Sequence, residues 1–249
     1  MKLRDIGRPE IISKFIGGVF IAIGIYLLLF TGHLNASLGA LFIGIFTILI
    51  LNEPTVEREV AFSELESSAL SLEKIFDDLD VKGKGVFIPP REDLTETRVF
   101  VPAGEFEGLP RIYDDMTIVP GGKGKTGIAI PPPGYPLLER AKERSEFEPE
   151  GNSIEEAREM MGMLAQGLDL AKSFSFRKEG DDYKLRVTMG DYDEVCEKIK
   201  GSSEMICTRT GCPICSAFLS AAVEGLSEPL RITDYEEEGN HKKYTLKVV

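Results

Sequence analysis

The chain has 249 residues, of which 43% are hydrophobic, and its 41 acidic and 29 basic residues give a formal net charge of −12. Residues 1–52 carry four basic and two acidic side chains, so the rest of the chain has a net charge of −14. Because so acidic a surface repels phosphate backbones, nucleic acid is excluded as an expected partner. The part beyond residue 52 is long enough for one large or two small domains.

The most apolar part of the chain, residues 15–51, contains no charged side chain and is too long for one helix. It predicts two transmembrane helices, at 11–31 and 34–51, joined by a tight turn. At about 1.5 Å per residue these helices reach about 31 and 27 Å, close to the ~30 Å thickness of the hydrocarbon layer. A cleaved signal peptide is the rival interpretation, but the second apolar segment would act as a stop-transfer anchor.

Basic residues near the predicted helices indicate their orientation. The turn between the helices has no Lys or Arg, Arg58 follows the second helix, and four basic residues precede or begin the first: Lys2, Arg4, Arg8 and Lys14. The positive-inside rule therefore places both termini in the cytoplasm. We expect a multi-pass protein of the cell membrane, with residues 1–52 as a two-helix anchor and the lipid bilayer as a partner.

Small residues on the two helices predict how they pack. Gly17 and Gly24 lie seven residues apart on one face of the first helix, and Ala40 and Gly44 form a small-xxx-small pair on the second. Such residues let two backbones approach closely. The same glycines also fit the ordinary composition of membrane helices, so both interpretations stay open.

The segment 53–149 predicts a linker helix followed by a small β-rich domain. An intermittent apolar face over 58–79 predicts the helix. Four short apolar runs that end at proline then predict strands, because proline cannot donate to a sheet ladder; they begin at Gly85, Arg98, Met116 and Gly127. A helix over 135–144 follows, and the acidic segment 146–151 predicts a domain boundary.

Residues 150–249 predict an α+β domain with an antiparallel sheet. Ser153 and Glu156 form a capping box, and apolar residues spaced three and four apart continue the helix to Ala171. The predicted elements that follow are a hairpin over 174–189, a helix over 191–200, an extended run over 204–208, a helix over 213–226 and a hairpin over 230–248. The predicted fold class is thus a transmembrane helical hairpin followed by an α+β soluble part.

The cysteines carry the clearest chemical signal in the sequence. Cys207, Cys212 and Cys215 lie at the predicted start of the 213–226 helix, and Cys196 lies on the helix before it. A secreted disulfide scaffold would spread its cysteines along the chain, so three interpretations remain: buried thiols, a metal site or a redox pair. For structural zinc, Cys207, Cys212 and Cys215 would be ligands, with Cys196 or His241 as the fourth.

The redox interpretation depends on Cys212-Pro-Ile-Cys215 at a helix N-terminus, where the helix dipole lowers the pKa of a thiol. The motif locally resembles the CPxC of glutaredoxins. However, only 34 residues follow Cys215, too few for the remaining strands of a thioredoxin fold. The helix is also so apolar that burial is expected to raise the pKa of Cys212. We therefore expect no catalysis.

The order and texture of the last hundred residues resemble the 4-vinyl-reductase domain family, a small-molecule-binding fold of archaeal and bacterial regulators. The resemblance rests on the 174–189 hairpin, the 212–226 run and the final 239–246 hairpin. Members of that family commonly carry cysteines in the final hairpin, whereas this chain has Glu238, Asn240 and His241 there. The chain as a whole resembles archaeal-type membrane proteins with two helices.

These observations predict a membrane-anchored cytoplasmic protein that binds a small molecule, as a sensor or a scaffold. The binding site would be an apolar pocket where two helices cover the sheet, lined by Met161, Leu164, Leu168, Phe218 and Ala222. Its partners would be an apolar small ligand and a second copy of the chain or another membrane protein. The alternatives are a zinc-stabilised protein-interaction module and a thiol-disulfide oxidoreductase.

Overall fold

A computed structural model describes residues 9–30, 32–50, 58–122, 124–147, 151–203 and 205–249. The chain divides into two compact units, residues 1–58 and 59–249. Some residues on which the sequence predictions depend lie outside the described residues, among them Lys2, Arg4, Arg8, Thr31 and Leu51.

The first unit contains two apolar helices, α1 (Pro9–Phe30) and α2 (Leu34–Ile50). They approach each other at glycines. A Cβ added to Gly17 would lie 2.8 Å from the carbonyl oxygen of Gly44, and one added to Gly24 would lie 2.7 Å from the side chain of Leu41. The two helices therefore pack through small residues that the sequence analysis singled out.

We expect Gly44→Ala to weaken the packing of α1 against α2 by about 1–3 kcal/mol. The added methyl group would meet both the Gly17 carbonyl oxygen and the Ile21 side chain at 2.7 Å. Gly39→Ala is the matched control, since nothing lies within 4 Å of its Cβ position. Thermal unfolding of the full chain in detergent, followed by circular dichroism, should show a lower midpoint for Gly44→Ala alone. Equal midpoints for the two variants would contradict this packing.

By length and composition, one helical stretch of the described chain, Ile206–Leu226, is able to cross a membrane. However, 94% of its most apolar window is buried inside the protein, as is typical of the core helix of a soluble domain. The apolar helical stretches Lys14–Phe30 and Leu34–Leu49 are shorter. The two transmembrane spans and the cytoplasmic termini therefore stay predictions.

An eight-stranded antiparallel sheet organises the second unit. Its strands are β1 (Val86–Ile88), β2 (Arg98–Pro102), β3 (Ile118–Val119), β4 (Gly127–Ile130), β5 (Ala171–Glu179), β6 (Asp182–Met189), β7 (Leu230–Glu238) and β8 (His241–Val248). The order across the sheet is β3-β4-β2-β1-β7-β8-β6-β5. The predicted α+β class with an antiparallel sheet is thus confirmed.

The strands differ in burial because their sequences differ. β1, β2 and β4 are short apolar runs with both faces covered: Phe87 lies in the main core, whereas Val86 and Ile88 pack in a second, smaller core. β6 and β8 instead alternate buried residues with more exposed ones. One face of that part of the sheet therefore packs on the core, and the other is open and polar.

Six α-helices of the second unit are described: α3 (Arg58–Asp78), α4 (Tyr135–Ser145), α5 (Ile154–Gly162), α6 (Asp193–Ser202), α7 (Ile206–Arg209) and α8 (Pro213–Leu226). All 14 residues of α8 are buried. This helix packs against α4, α5 and β1. The apolar run that predicted it therefore forms the central element of the core.

Two predicted elements differ from the structure. α5 passes into a π-helical segment, Met163–Gly167, and Ala171 begins β5 rather than ending the helix. The run over 204–208, of which Glu204 lies outside the described residues, contains the start of α7 rather than an extended segment. A helix of four residues is too short to show a helical period in its sequence, which is why the sequence pattern did not predict α7.

The sheet joins the two segments that the sequence analysis assigned to separate domains, 53–149 and 150–249. β1 pairs with β7, so that Val86 lies opposite Arg231 and Phe87 opposite Leu230. Prolines end these short strands but leave their lateral edges free to pair. The expected boundary, part of which lies outside the described residues, therefore falls within one compact unit.

Candidate functional site

Three cysteine side chains meet in the core of the second unit. Cys196 comes from α6, and Cys212 and Cys215 come from the start of α8. Their sulfur atoms all lie within 4.8 Å of one another, and the sulfurs of Cys196 and Cys212 are 3.3 Å apart. All three are free, buried thiols. This group, the thiol cluster, is close enough to hold a metal ion.

Local sequence explains why these sulfurs converge. Gly211 has φ +75°, a conformation that favours glycine, and Pro213 stands in the first turn of α8, where its missing N–H removes no helical hydrogen bond. Cys212 is the N-cap, and its sulfur accepts a hydrogen bond from the Cys215 amide at 3.4 Å. Cys196 belongs to the buried face of α6. The packing of α6 therefore completes the cluster.

The three thiols hold their protons unequally. Hydrogen bonding with the thiols of Cys196 and Cys215 lowers the pKa of Cys212 well below its ordinary value, although burial opposes the shift. The same contact with Cys212 raises the pKa of Cys196. The pKa of Cys215 is also raised, against the opposing effect of Cys196. Burial does raise the pKa of Cys212, as predicted, but the hydrogen bonds with its neighbours outweigh that effect and the pKa is lowered.

Two residues predicted as zinc ligands lie outside the thiol cluster. Cys207, on α7, is buried, and burial raises its pKa to about 12. His241 begins β8, and its Nδ1 lies 3.0 Å from the hydroxyl oxygen of Thr188. The predicted ligand set is corrected accordingly: Cys196, which the sequence offered only as a fourth ligand, takes the place of Cys207.

Two tyrosines border this part of the core. Tyr244 is buried, and its hydroxyl has no hydrogen-bond partner among the residues that the structure describes. Its ring centre lies 4.9 Å from that of Tyr235, whose hydroxyl donates to Glu237 at 3.0 Å. Burial raises the pKa of Tyr244, and negative charge on the cysteine sulfurs raises it further. Sequence reasoning missed Tyr244, although the alternation along β8 indicates that it faces the core.

A buried ion pair connects α7 to α3. Arg209 donates to Glu73 at 2.6 Å and to Asp77 at 3.1 Å, and its guanidinium lies 5.8 Å from the centre of the Phe76 ring. The Arg209 and Glu73 side chains are only 4% and 6% exposed. Because Arg209 is three residues before Cys212, the segment that leads into the thiol cluster also holds α3 in place.

The residues predicted to line a ligand pocket lie in or against the main core. Met161, Leu164, Phe218 and Ala222 are buried in the main core, and Leu168 packs against it. None of them lines the three cavities described here. The most apolar of these, termed the apolar cavity, has a volume of about 350 Å³ and is lined by residues that include Leu65, Ala69, Leu72, Pro131, Pro133 and Pro213. It lies between α3, the β4–α4 connection and the start of α8.

No curated protein and no solved structure matches the chain. A family model described as Domain of unknown function (DUF7982) matches residues 14–248, a span that includes α2, the whole described sheet and the thiol cluster. Because the match covers nearly the entire chain, the protein belongs to the DUF7982 family.

Proposed function

We propose that the chain is a membrane-tethered module whose second unit binds a thiophilic metal ion at the thiol cluster, without catalysing a reaction. The observation that carries the proposal is the convergence of three sulfur atoms, within 4.8 Å of one another, in a buried site. Thiolate sulfur is a preferred ligand of zinc and of copper(I). Cys196 is contributed by a different helix from the other two, so proximity in sequence does not explain the cluster.

Buried cysteines also serve as small apolar side chains, and that is the alternative against which the metal must be weighed. Here the Cys212 sulfur accepts a hydrogen bond from the Cys215 amide at 3.4 Å and lies 3.3 Å from the Cys196 sulfur. Those contacts stabilise a thiolate, whereas an unpaired charge in a core is costly. A bound cation would remove that cost, which supports a metal site over simple packing.

A metal ion at this site would link α6 to the N-terminus of α8. Metal binding is coupled to folding where the ligands come from separate elements, because the site does not exist in the unfolded chain. The core encloses the thiol cluster, and none of its cysteines lines the three cavities described. A structural or sensing role therefore fits the site better than chemistry on a substrate.

The membrane tether is supported by the surface of the first unit. Phe15, Phe30 and Phe42 are 72%, 73% and 69% exposed, and they lie on helices whose other large side chains are also mostly exposed and apolar. So large an apolar surface marks contact with lipid or protein. Two helices that satisfy their own backbone groups suit a bilayer, and the positive-inside rule orients both termini toward the cytoplasm.

A titration of the reduced full-length protein with Cd²⁺ tests the metal site, since cadmium–thiolate bonds absorb in the near ultraviolet. We expect saturation at one ion per chain for the wild type and for Cys207→Ser, the matched control outside the cluster. Cys196→Ser, Cys212→Ser and Cys215→Ser should each lower the affinity by more than about 100-fold, the upper range for residues that only support ligands. Equal binding by all the proteins, or none by the wild type, would contradict the proposal.

A second candidate function, small-molecule binding by a 4-vinyl-reductase-like domain, is favoured by the apolar cavity. Its volume of about 350 Å³ falls within the range of ligand pockets, about 300–1,000 Å³. An uncharged, mainly apolar ligand fits its lining. Ala69→Phe, which fills the cavity from α3, should abolish the fluorescence enhancement of the apolar probe N-phenyl-1-naphthylamine; an unchanged signal would exclude this site.

A further inference from the structure

We propose that the thiol cluster holds its ion through three sulfur ligands alone, and that the ion is therefore monovalent copper rather than zinc. This inference rests on the proposed function and names the metal. Structural zinc is almost always held by four ligands from cysteine, histidine or carboxylate side chains, in a tetrahedron. Soft sulfur ligands also select Cu⁺, which has no need of the fourth protein ligand.

No fourth ligand accompanies the three sulfurs within the described parts of the chain. In those parts, only the thiol cluster brings three or more ligand atoms of cysteine, histidine, aspartate or glutamate within 4.8 Å of one another. Cys207 lies on α7 outside the thiol cluster, and His241 faces the hydroxyl of Thr188. The two residues that could have completed a zinc tetrahedron therefore do not join the three sulfurs.

Carboxylates near this part of the sheet also have ion-pair partners. Glu237 forms ion pairs with Lys200, at 2.7 Å, and with Lys242, and it accepts a hydrogen bond from Tyr235. Asp193, on the same helix as Cys196, pairs with Lys242 at 3.1 Å. Recruiting either carboxylate to a metal would break an ion pair of a lysine that is only 2% exposed.

Water is poorly placed to supply a fourth ligand. Cys196, Cys212 and Cys215 are 6%, 2% and 1% exposed, and every residue of α8 is buried. None of the three cavities described is lined by a cysteine. Zinc sites with three protein ligands keep an open position for water or substrate. The thiol cluster is instead enclosed by the core, which does not suit a zinc site with an open position.

The charge balance of a copper complex fits the surroundings of the cluster. When Cu⁺ binds, the three thiol protons leave for solvent, so that the ion is surrounded by three thiolates and the complex has a net charge of −2. No electron is transferred, because the ion binds as Cu⁺. The Cys215 amide donates to the Cys212 sulfur, and the positive end of the α8 dipole lies at the same point. Both stabilise the negative charge.

The test loads the reduced full-length protein, in detergent and without oxygen, with Cu⁺ or with Zn²⁺ and then passes it over a chelating column. We expect Cu⁺ to remain at one ion per chain and Zn²⁺ to be removed. X-ray absorption at the copper edge should show three sulfur neighbours and no nitrogen or oxygen. Cys207→Ser and His241→Ala should leave copper retention unchanged, whereas Cys196→Ser should abolish it.

Retained Zn²⁺ with four protein ligands would overturn the copper assignment. Copper with two sulfur neighbours, or loss of copper in Cys207→Ser, would overturn the coordination by the three sulfurs of the thiol cluster. Each of these results leaves a metal site in place. Retention of neither ion would instead overturn the proposed function itself. Because the coordination number is measured on the wild type, the assignment stays testable even where a cysteine variant does not fold.

Discussion

Replacing Arg209 with methionine is expected to lower the free energy of unfolding of the second unit by about 3–5 kcal/mol. Arg209 and Glu73 are 4% and 6% exposed, and their charged groups are 2.6 Å apart. Methionine keeps much of the volume but leaves the Glu73 carboxylate buried without its cation. Urea unfolding of the full chain, followed by circular dichroism, measures the loss.

Two further variants separate the ion pair from other effects. Asp77 also contacts Arg209, but its side chain is 69% exposed, so Asp77→Asn should cost less than about 1 kcal/mol. A double variant with Arg209→Met and Glu73→Leu should recover most of the lost stability, because no unpaired charge remains. A loss below about 1 kcal/mol for Arg209→Met alone would show that the pair does not hold α3 to α7.

Gly134→Ala is expected to destabilise the second unit by about 3 kcal/mol, at the upper end of over-packing effects. A Cβ at this position would lie 1.8 Å from the Pro213 carbonyl oxygen and 2.5 Å from the Ala217 amide nitrogen. The Gly134 amide also donates to the Ser216 hydroxyl at 2.7 Å. Backbone atoms cannot rotate away as a side chain can, so the start of α8 must shift.

The same substitution should also weaken metal binding, because Cys212 and Cys215 are carried by the first turn of α8. Gly162→Ala is the matched control: nothing lies within 4 Å of its Cβ position, and alanine in a helix should raise the stability by up to about 1 kcal/mol. Urea unfolding and the Cd²⁺ titration, run on both variants, measure the two effects. Unaltered stability of Gly134→Ala would mean that α4 does not approach α8 so closely.

Much of the fold could be predicted from the sequence because the signals are local. α3, α4 and α8 begin at the expected residues, and the hairpins that end in β6 and β8 follow from alternating apolar residues. The pairing of β1 with β7 could not be predicted. Nothing in a three-residue apolar strand specifies which distant strand will lie beside it.

In the candidate site, too, the local features could be predicted from the sequence and the long-range contacts could not. Cys212 and Cys215 were identified because a proline and two cysteines at a helix start form a recognisable local pattern. The sequence placed Cys207 ahead of Cys196 in the ligand set, and that order is corrected because it depends on how α6 and α7 pack. The predicted pocket depends on packing in the same way: apolar residues such as Leu164 and Phe218, both buried in the main core, line a cavity or fill one according to contacts that the sequence pattern does not record.

Metal analysis of the purified full-length protein tests the metal site most directly. The chain is purified under reducing conditions without added metal or strong chelator, beside a variant with Cys196, Cys212 and Cys215 all replaced by serine. Inductively coupled plasma mass spectrometry then gives the metal content per chain. We predict one copper ion per wild-type chain and none in the variant; zinc in its place would keep the metal site but contradict the copper assignment. A metal-free wild type that takes up no added Cu⁺, Zn²⁺ or Cd²⁺, or a variant that retains the same metal, would contradict the account.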